Sequence, residues 1–360
     1  MVDARGPLGR DGAVKYNPAL DGLRACAVVP VMLFHFSDER LCPGGYLGVD
    51  IFFVISGYLI TTLLIADEER NQRIRYANFY ARRALRLLPA IAAVLVFGAA
   101  LAAIHRLPGN HSYGYSALVT VLLAQGVVLT MGGLGLGYIG HLWTLNAEIV
   151  FYLLWPQVLR AMRRFSTRQL GMALLTGVVF IAVVKSAVYP LIGGEPEFYL
   201  LPFRLDDFFV GALVAAVLRP LAGQLNEGLR LLLNASAWMA AIIITFLIVI
   251  PHTHARSEVV TDNGGGTATA MLVGVIIAAT VCADRRSLAR VLASKPLPAL
   301  GLLSYGLYLY HQPINAFMGN RYPVGVRITV GLLVSVALAY LSRRLIEVPA
   351  LVLRRSRVAS

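Results

Sequence analysis

Charge is scarce in this sequence. Of 360 residues 14% are charged, with 19 Asp and Glu against 32 Lys and Arg, a net charge of +13, while 58% are hydrophobic. Soluble domains carry about 25% charged residues, so an ordinary soluble enzyme is excluded. No polar loop is long enough to hold a separate soluble domain. Cysteine is also scarce: Cys26, Cys42 and Cys282 have no metal-ligand spacing, and two of them fall within or beside apolar runs. That argues against a disulfide framework. The N-terminal MVDARGPLGRDGAVKYNP lacks the apolar core of a cleaved signal peptide, so the first span is expected to act as an uncleaved signal. No internal repeat is visible, which weakens an inverted-repeat transporter. Nucleic-acid binding is also a poor fit to the positive charge, because the arginines flank apolar segments as membrane topology requires.

Long apolar runs are abundant, and they make this an all-α, polytopic integral membrane bundle. Candidate helices cover 21–37, 46–66, 86–104, 115–131, 142–160, 170–192, 203–219, 231–250, 268–283, 297–317 and 324–342. Basic clusters fall at Arg5, Arg10 and Lys15, at Arg70–Arg86, at Arg160–Arg168, at Arg219 and Arg230, at Arg285–Lys295, and in the tail. Keeping all of them on the cytoplasmic side requires an even number of crossings between clusters. The three candidates from 86 to 160 violate that parity. The segment 115–131 is short and runs into MGGLGLGYIG, so it is expected to be re-entrant or a half helix. About ten transmembrane helices then remain, with both termini cytoplasmic in the cell membrane. The expected domains are a cytoplasmic tail over 1–15, one membrane domain over 16–349 and a basic tail over 350–360.

The stretch 20–61 organises the chain. It reads LDGLRACAVVPVMLFHF, then, after a short turn, GYLGVDIFFVISGYLIT. Ionisable groups at bilayer depth are expensive and mark candidate sites: here Asp21, Arg24, His35 and Asp50. Arg24 and His35 are eleven residues apart, close to a whole number of turns, so they share a helix face about 16 Å apart along the axis. Snorkelling of Arg24, an interfacial role for His35 and pairing of Asp21 with Arg24 are the plainer alternatives. Asp50 lies among large apolar residues and needs a partner such as His35 or an arginine. A carboxylate beside His35 would fix its tautomer.

Further candidates follow along the chain. NFYARRALRLLPA places Arg82, Arg83 and Arg86 at the mouth of a span, where they form either basic anchors or a phosphate clamp. HLWTLNAEIVFYLLWP opens another span with His141, Trp143 and Glu148. Arg204, Asp206 and Asp207 are read as a local ion pair rather than a catalytic group. SYGLYLYHQPI puts Tyr305, Tyr308 and His311 on one face. His252 and His254 are too few to make a metal site.

LDGLRA…H, GxLGVDIFFVISGYLIT, FYxRRxxRLLP, HLWTLxxE, RLDDFxxG, SYGLYLYHxP and RLIEVP occur in order across about 16–349. Together they resemble the membrane acyltransferase-3 family. The resemblance implies transfer of an acyl group, commonly acetyl, from acyl-CoA to a hydroxyl of a glycan, lipid-linked sugar or metabolite. It implies that Arg24 and His35 are the family's Arg/His pair, that Arg83 and Arg86 engage CoA, and that Glu148 is the family glutamate. Many members read WSLxxEEQFYL where this chain has a single carboxylate. Some carry a C-terminal esterase-like domain that this sequence lacks, so acceptor handling is expected to rest on the membrane domain or a partner.

The expected mechanism has His35 as general base, assisted by Asp50 and Glu148. Arg24, Arg83 and Arg86 would bind the phosphates, and Trp143, Tyr305 and His311 would contact substrate. No tightly bound cofactor and no metal is expected, and acyl-CoA is a co-substrate. The expected partners are acyl-CoA, a hydroxyl-bearing acceptor and the bilayer. A proton-coupled transporter using the same Asp, Arg and His groups is the competing class, and a flippase-like or scaffold subunit is a third.

Overall fold

The structure, a computed structural model, describes residues 16–105, 113–130, 137–192, 199–218, 221, 224–250, 265–282 and 287–352. Among these residues it is all helical. In chain order the α-helices are α1 (Pro18–Phe36), α2 (Gly48–Asn71), α3 (Tyr76–His105), α4 (Tyr113–Val121), α5 (Gln125–Thr130), α6 (Trp143–Ala161) and α7 (Thr167–Ile192). They continue with α8 (Leu205–Leu213), α9 (Glu227–Val249), α10 (Gly265–Cys282), α11 (Leu288–Leu292), α12 (Pro296–Gly301), α13 (Ser304–Met318) and α14 (Val324–Ser342).

Among the described residues six helical segments are long and apolar enough to cross a membrane: those of α1, α2, α3, α7, α9 and α14. The expected run over 115–131 is two short helices, α4 and α5, with Leu123 between them at a φ of 58°. Nine and six residues rise about 14 and 9 Å, too little to cross. The candidate over 297–317 is likewise divided, into α12 and α13. The candidate over 203–219 is α8 continued by a wider π-type turn, Val214–Leu218. Elsewhere helices outrun their apolar cores. α3 begins at Tyr76 and carries Arg82, Arg83 and Arg86 on its first turns, because Ala, Arg and Leu are all good helix formers. Helix continues through residue 352, past the expected boundary at 349. His252 and His254 lie outside the described residues, as do 1–15 and 353–360.

α1 starts where Asn17 caps it, its side chain accepting from the Ala19 N–H, with Pro18 in the first turn. α1 and α2 form the centre: 61% and 78% of their most apolar windows are buried, against 22–28% in the other four. Those four present Val96, Phe180, Leu231, Leu333 and other large apolar side chains outward. In water such a surface is unfavourable, whereas in lipid it is the expected one. α2 and α8 meet backbone to backbone: a Cβ on Gly57 would strike the Phe208 carbonyl, and one on Gly211 the Val54 carbonyl.

That close approach brings a buried ionic network together. Arg204 Nη1 donates to Asp50 Oδ1 at 2.6 Å and lies 3.8 Å from Asp207 Oδ2. Lys185 Nζ, on α7, donates to both oxygens of Asp206 at 2.7 and 2.8 Å, and Thr267 of α10 donates to the same carboxylate. Asp50, Lys185, Arg204, Asp206 and Asp207 are all buried. Four elements are thus tied at one level of the bundle.

Candidate functional site

α1, α2, α3, α6 and α13 enclose a cavity of about 70 Å³. Arg24 and Arg86 line it together with Glu148, Ser56, Tyr152 and Tyr308. Each helix contributes by a local rule. Arg24 stands one turn after Asp21 and donates to its Oδ1 at 3.2 Å, while the Tyr16 hydroxyl donates to Oδ2 at 2.7 Å. Glu148 and Tyr152 are four apart on α6, and the phenol donates to the carboxylate. Ser56 Oγ donates to the same oxygen, Oε1, at 2.5 Å. Arg83 lies over the rings of Phe79 and Tyr152, 5.8 and 5.7 Å from their centroids. Three guanidinium groups therefore gather near two carboxylates, leaving an excess of positive charge at this end. Such an arrangement suits an anion with several oxygens.

The opposite wall of the cavity is Tyr308, whose hydroxyl donates to the His141 carbonyl at 3.0 Å and receives a hydrogen bond from Thr144 at 2.9 Å. Behind it stand three imidazoles. His311 lies 5.4 Å from Tyr308, 5.3 Å from His141 and 5.0 Å from His35, centroid to centroid. His35 Nδ1 is 2.8 Å from the Val31 carbonyl one turn back on α1. A carbonyl only accepts, so Nδ1 carries the proton and Nε2 keeps its lone pair. His35 does not line the cavity, and His311 bridges the two. Among the described residues no three His, Cys, Asp or Glu side chains are arranged to hold a metal ion.

Several expectations change here. Of the two partners expected for Asp50 the arginine is found and the imidazole is not: Asp50 pairs with Arg204, a charge-assisted partner at that depth, and Glu148 is occupied by Ser56 and Tyr152. Trp143 is buried against Phe53 and Tyr199, at 6.2 and 5.3 Å, and does not line the cavity. Tyr305 does line it, with its hydroxyl on the Leu87 carbonyl at 2.9 Å. Arg24 and Arg86 meet at the cavity, and Arg83 lies alongside it. Lys185, Ser56 and Tyr152 were missed. A lysine amid apolar residues in 170–192 was a legible signal for the first; the other two carry none outside the fold.

Just beyond the end of α1, Asp38 accepts two hydrogen bonds from the buried Arg327 guanidinium of α14. This contact holds the Asp38 carboxyl below the usual carboxylate range.

Comparison with known proteins places these features. Residues 17–344 match the model of a family described as "Acyltransferase domain". The Staphylococcus aureus "O-acetyltransferase OatA" is 30% identical over 353 residues, covering 93% of this chain and 57% of the relative. The Listeria monocytogenes "Peptidoglycan O-acetyltransferase OatA" is 29% identical over 312 residues, 83% and 49% of the two chains. The Bacillus subtilis "Putative peptidoglycan O-acetyltransferase YrhL" is 30% identical over 356 residues, 93% and 55%. The chain therefore spans about half the length of these relatives. No solved structure matches it.

Proposed function

The chain belongs to the Acyltransferase domain family, and we propose that it moves an acetyl group from acetyl-CoA to a hydroxyl of a cell-wall glycan. The observation that supports this is a cavity with arginines at one end and, behind its other wall, an imidazole with a free nitrogen. A cavity of about 70 Å³ suits the thioester end of the donor, not its nucleotide. The phosphates would stay at the mouth on Arg24, Arg83 and Arg86, where guanidinium groups bind them bidentately.

His35 lies behind the Tyr308 wall, so the mechanism requires the thioester to pass Tyr308; there His35 Nε2 takes the proton from the acceptor hydroxyl as its oxygen attacks the thioester carbonyl. The C–S bond breaks, an ester forms, and the thiolate leaves and gains a proton as free CoA. Glu148 offsets the charge of Arg24 and Arg86 when no donor is bound, and Tyr305 flanks the acyl end. Asp50 acts through Arg204 as a strut. The basic clusters support a cytoplasmic donor side, cytoplasmic termini and residence in the cytoplasmic membrane. The acceptor assignment rests on the names of the relatives.

The test is thiol release by the purified full chain in liposomes, given acetyl-CoA and chitotriose. His35→Ala should lower acceptor-dependent release by about 10²-fold or more, the usual contribution of a general base. An unchanged rate would remove His35 from the mechanism.

A further inference from the structure

The three imidazoles are not equivalent in what they leave unmet. His141 Nε2 lies 3.2 Å from the Leu309 carbonyl, so it is the donor nitrogen, and Nδ1 is left as an acceptor in the neutral ring. His311 is the reverse. Its Nδ1 lies 2.7 Å from the Tyr308 carbonyl, leaving Nε2 as the acceptor. Both rings are buried, His311 completely. His141 Nδ1 and His311 Nε2 are each fully enclosed and meet no hydrogen-bond partner. Burying an acceptor without a donor is unfavourable, and here it happens twice, on rings whose centroids lie 5.3 Å apart, with the His311 ring 5.0 Å from that of His35. The rings are not placed as metal ligands.

Within the proposed acyl-transfer reading, we propose that His141 Nδ1 and His311 Nε2 form the acceptor-recognition site, receiving hydrogen bonds from hydroxyl or amide N–H donors of the sugar that flank the hydroxyl deprotonated by His35. The pair offers lone pairs and no donor. It therefore selects neutral, donor-rich sugars and disfavours phosphate or carboxylate at that point. A site built to accept a hydrogen bond rejects ligands that lack the donor far more strongly than an apolar pocket rejects a missing methylene.

Amide replacements separate this role from a structural one, because Asn places its polar atoms near Nδ1 and Gln near Nε2. A recognition role requires the free nitrogen to be imitated: His141→Asn and His311→Gln retain function, while His141→Gln and His311→Asn lose it. A structural role requires the bond to the main-chain carbonyl to be imitated, which reverses the order at both positions. Two readouts are taken on the full chain. One is binding of chitotriose by calorimetry in detergent. The other is thiol release from acetyl-CoA with chitotriose varied. Expected is a tenfold to hundredfold weaker chitotriose affinity and a matching loss in acceptor kcat/KM for His141→Gln and His311→Asn. Less than threefold change in the KM for acetyl-CoA should accompany it.

The reverse order, equal effects of both amides, or no binding of chitotriose by the wild type would each overturn the inference. Wild-type binding with the expected order but no thiol release would overturn the acyl-transfer reading alone.

Discussion

At the scale of single residues, the balance of charge decides what the cavity attracts. Arg24 already has Asp21, at 3.2 Å, whereas Arg86 lines the cavity with no ion pair to any of the described residues. Arg86 is thus the guanidinium with most freedom to engage an incoming phosphate. Charge-assisted hydrogen bonds contribute about 1.5–3 kcal/mol. Arg86→Ala should raise the KM for acetyl-CoA by about tenfold to hundredfold and leave the KM for the acceptor near wild type, as steady-state thiol release would show. Arg86→Lys should recover only part of this, since an ammonium lacks the planar fork. Equal loss in both KM values would point to a collapsed cavity instead.

At the scale of elements, the end of α1 is the place where His35 is set. Immediately after the helix, Asp38 and Glu39 adopt φ of 50° and 65°, a left-handed pair that non-glycine residues enter at some cost. Arg327 of α14 holds Asp38 there, and Phe36 packs against Gly331 one turn further along α14. The sign of the pH effect follows from the lowered Asp38 carboxyl. Stability from this pair is complete above the unfolded value of about 3.9 and is lost as pH falls through the lower folded value. Asp38→Asn should therefore lower the unfolding temperature in detergent at neutral pH and flatten its acid dependence. A variant with the wild-type acid profile would show that the pair does not anchor the turn.

At the scale of the whole molecule, the ionic network joins α2, α7, α8 and α10 beside the close backbone approach of α2 and α8. Two cations face three carboxylates, so removing one partner leaves a charge stranded away from water. Asp50→Ala should cost about 3–5 kcal/mol, the usual penalty for breaking a buried pair. Replacing both partners, Asp50→Leu with Arg204→Met, should recover most of it, because well-packed apolar groups replace such pairs without loss. Chemical denaturation in micelles measures both. If the double variant is as unstable as the single one, the network has a role beyond holding the helices.

Local regularities were legible along the chain. Apolar runs announced a helical membrane protein, because helix pitch depends only on near neighbours; the eleven-residue interval predicted a shared face for Arg24 and His35, of which only Arg24 lines the cavity. That 115–131 would not cross as one helix was legible, although it breaks at Leu123 and not at a glycine, and Arg86 and Tyr305 were legible in their motifs. Partnership across the bundle was not legible. Arg204 lies 154 positions from Asp50, and the His141 ring donates to a carbonyl 168 positions away. No periodicity encodes such pairings; they are chosen when helices pack and each buried polar group must take the nearest complementary one. For the same reason Asp50 went to an arginine instead of an imidazole, and the ten expected crossings include helices that tertiary packing allowed to break.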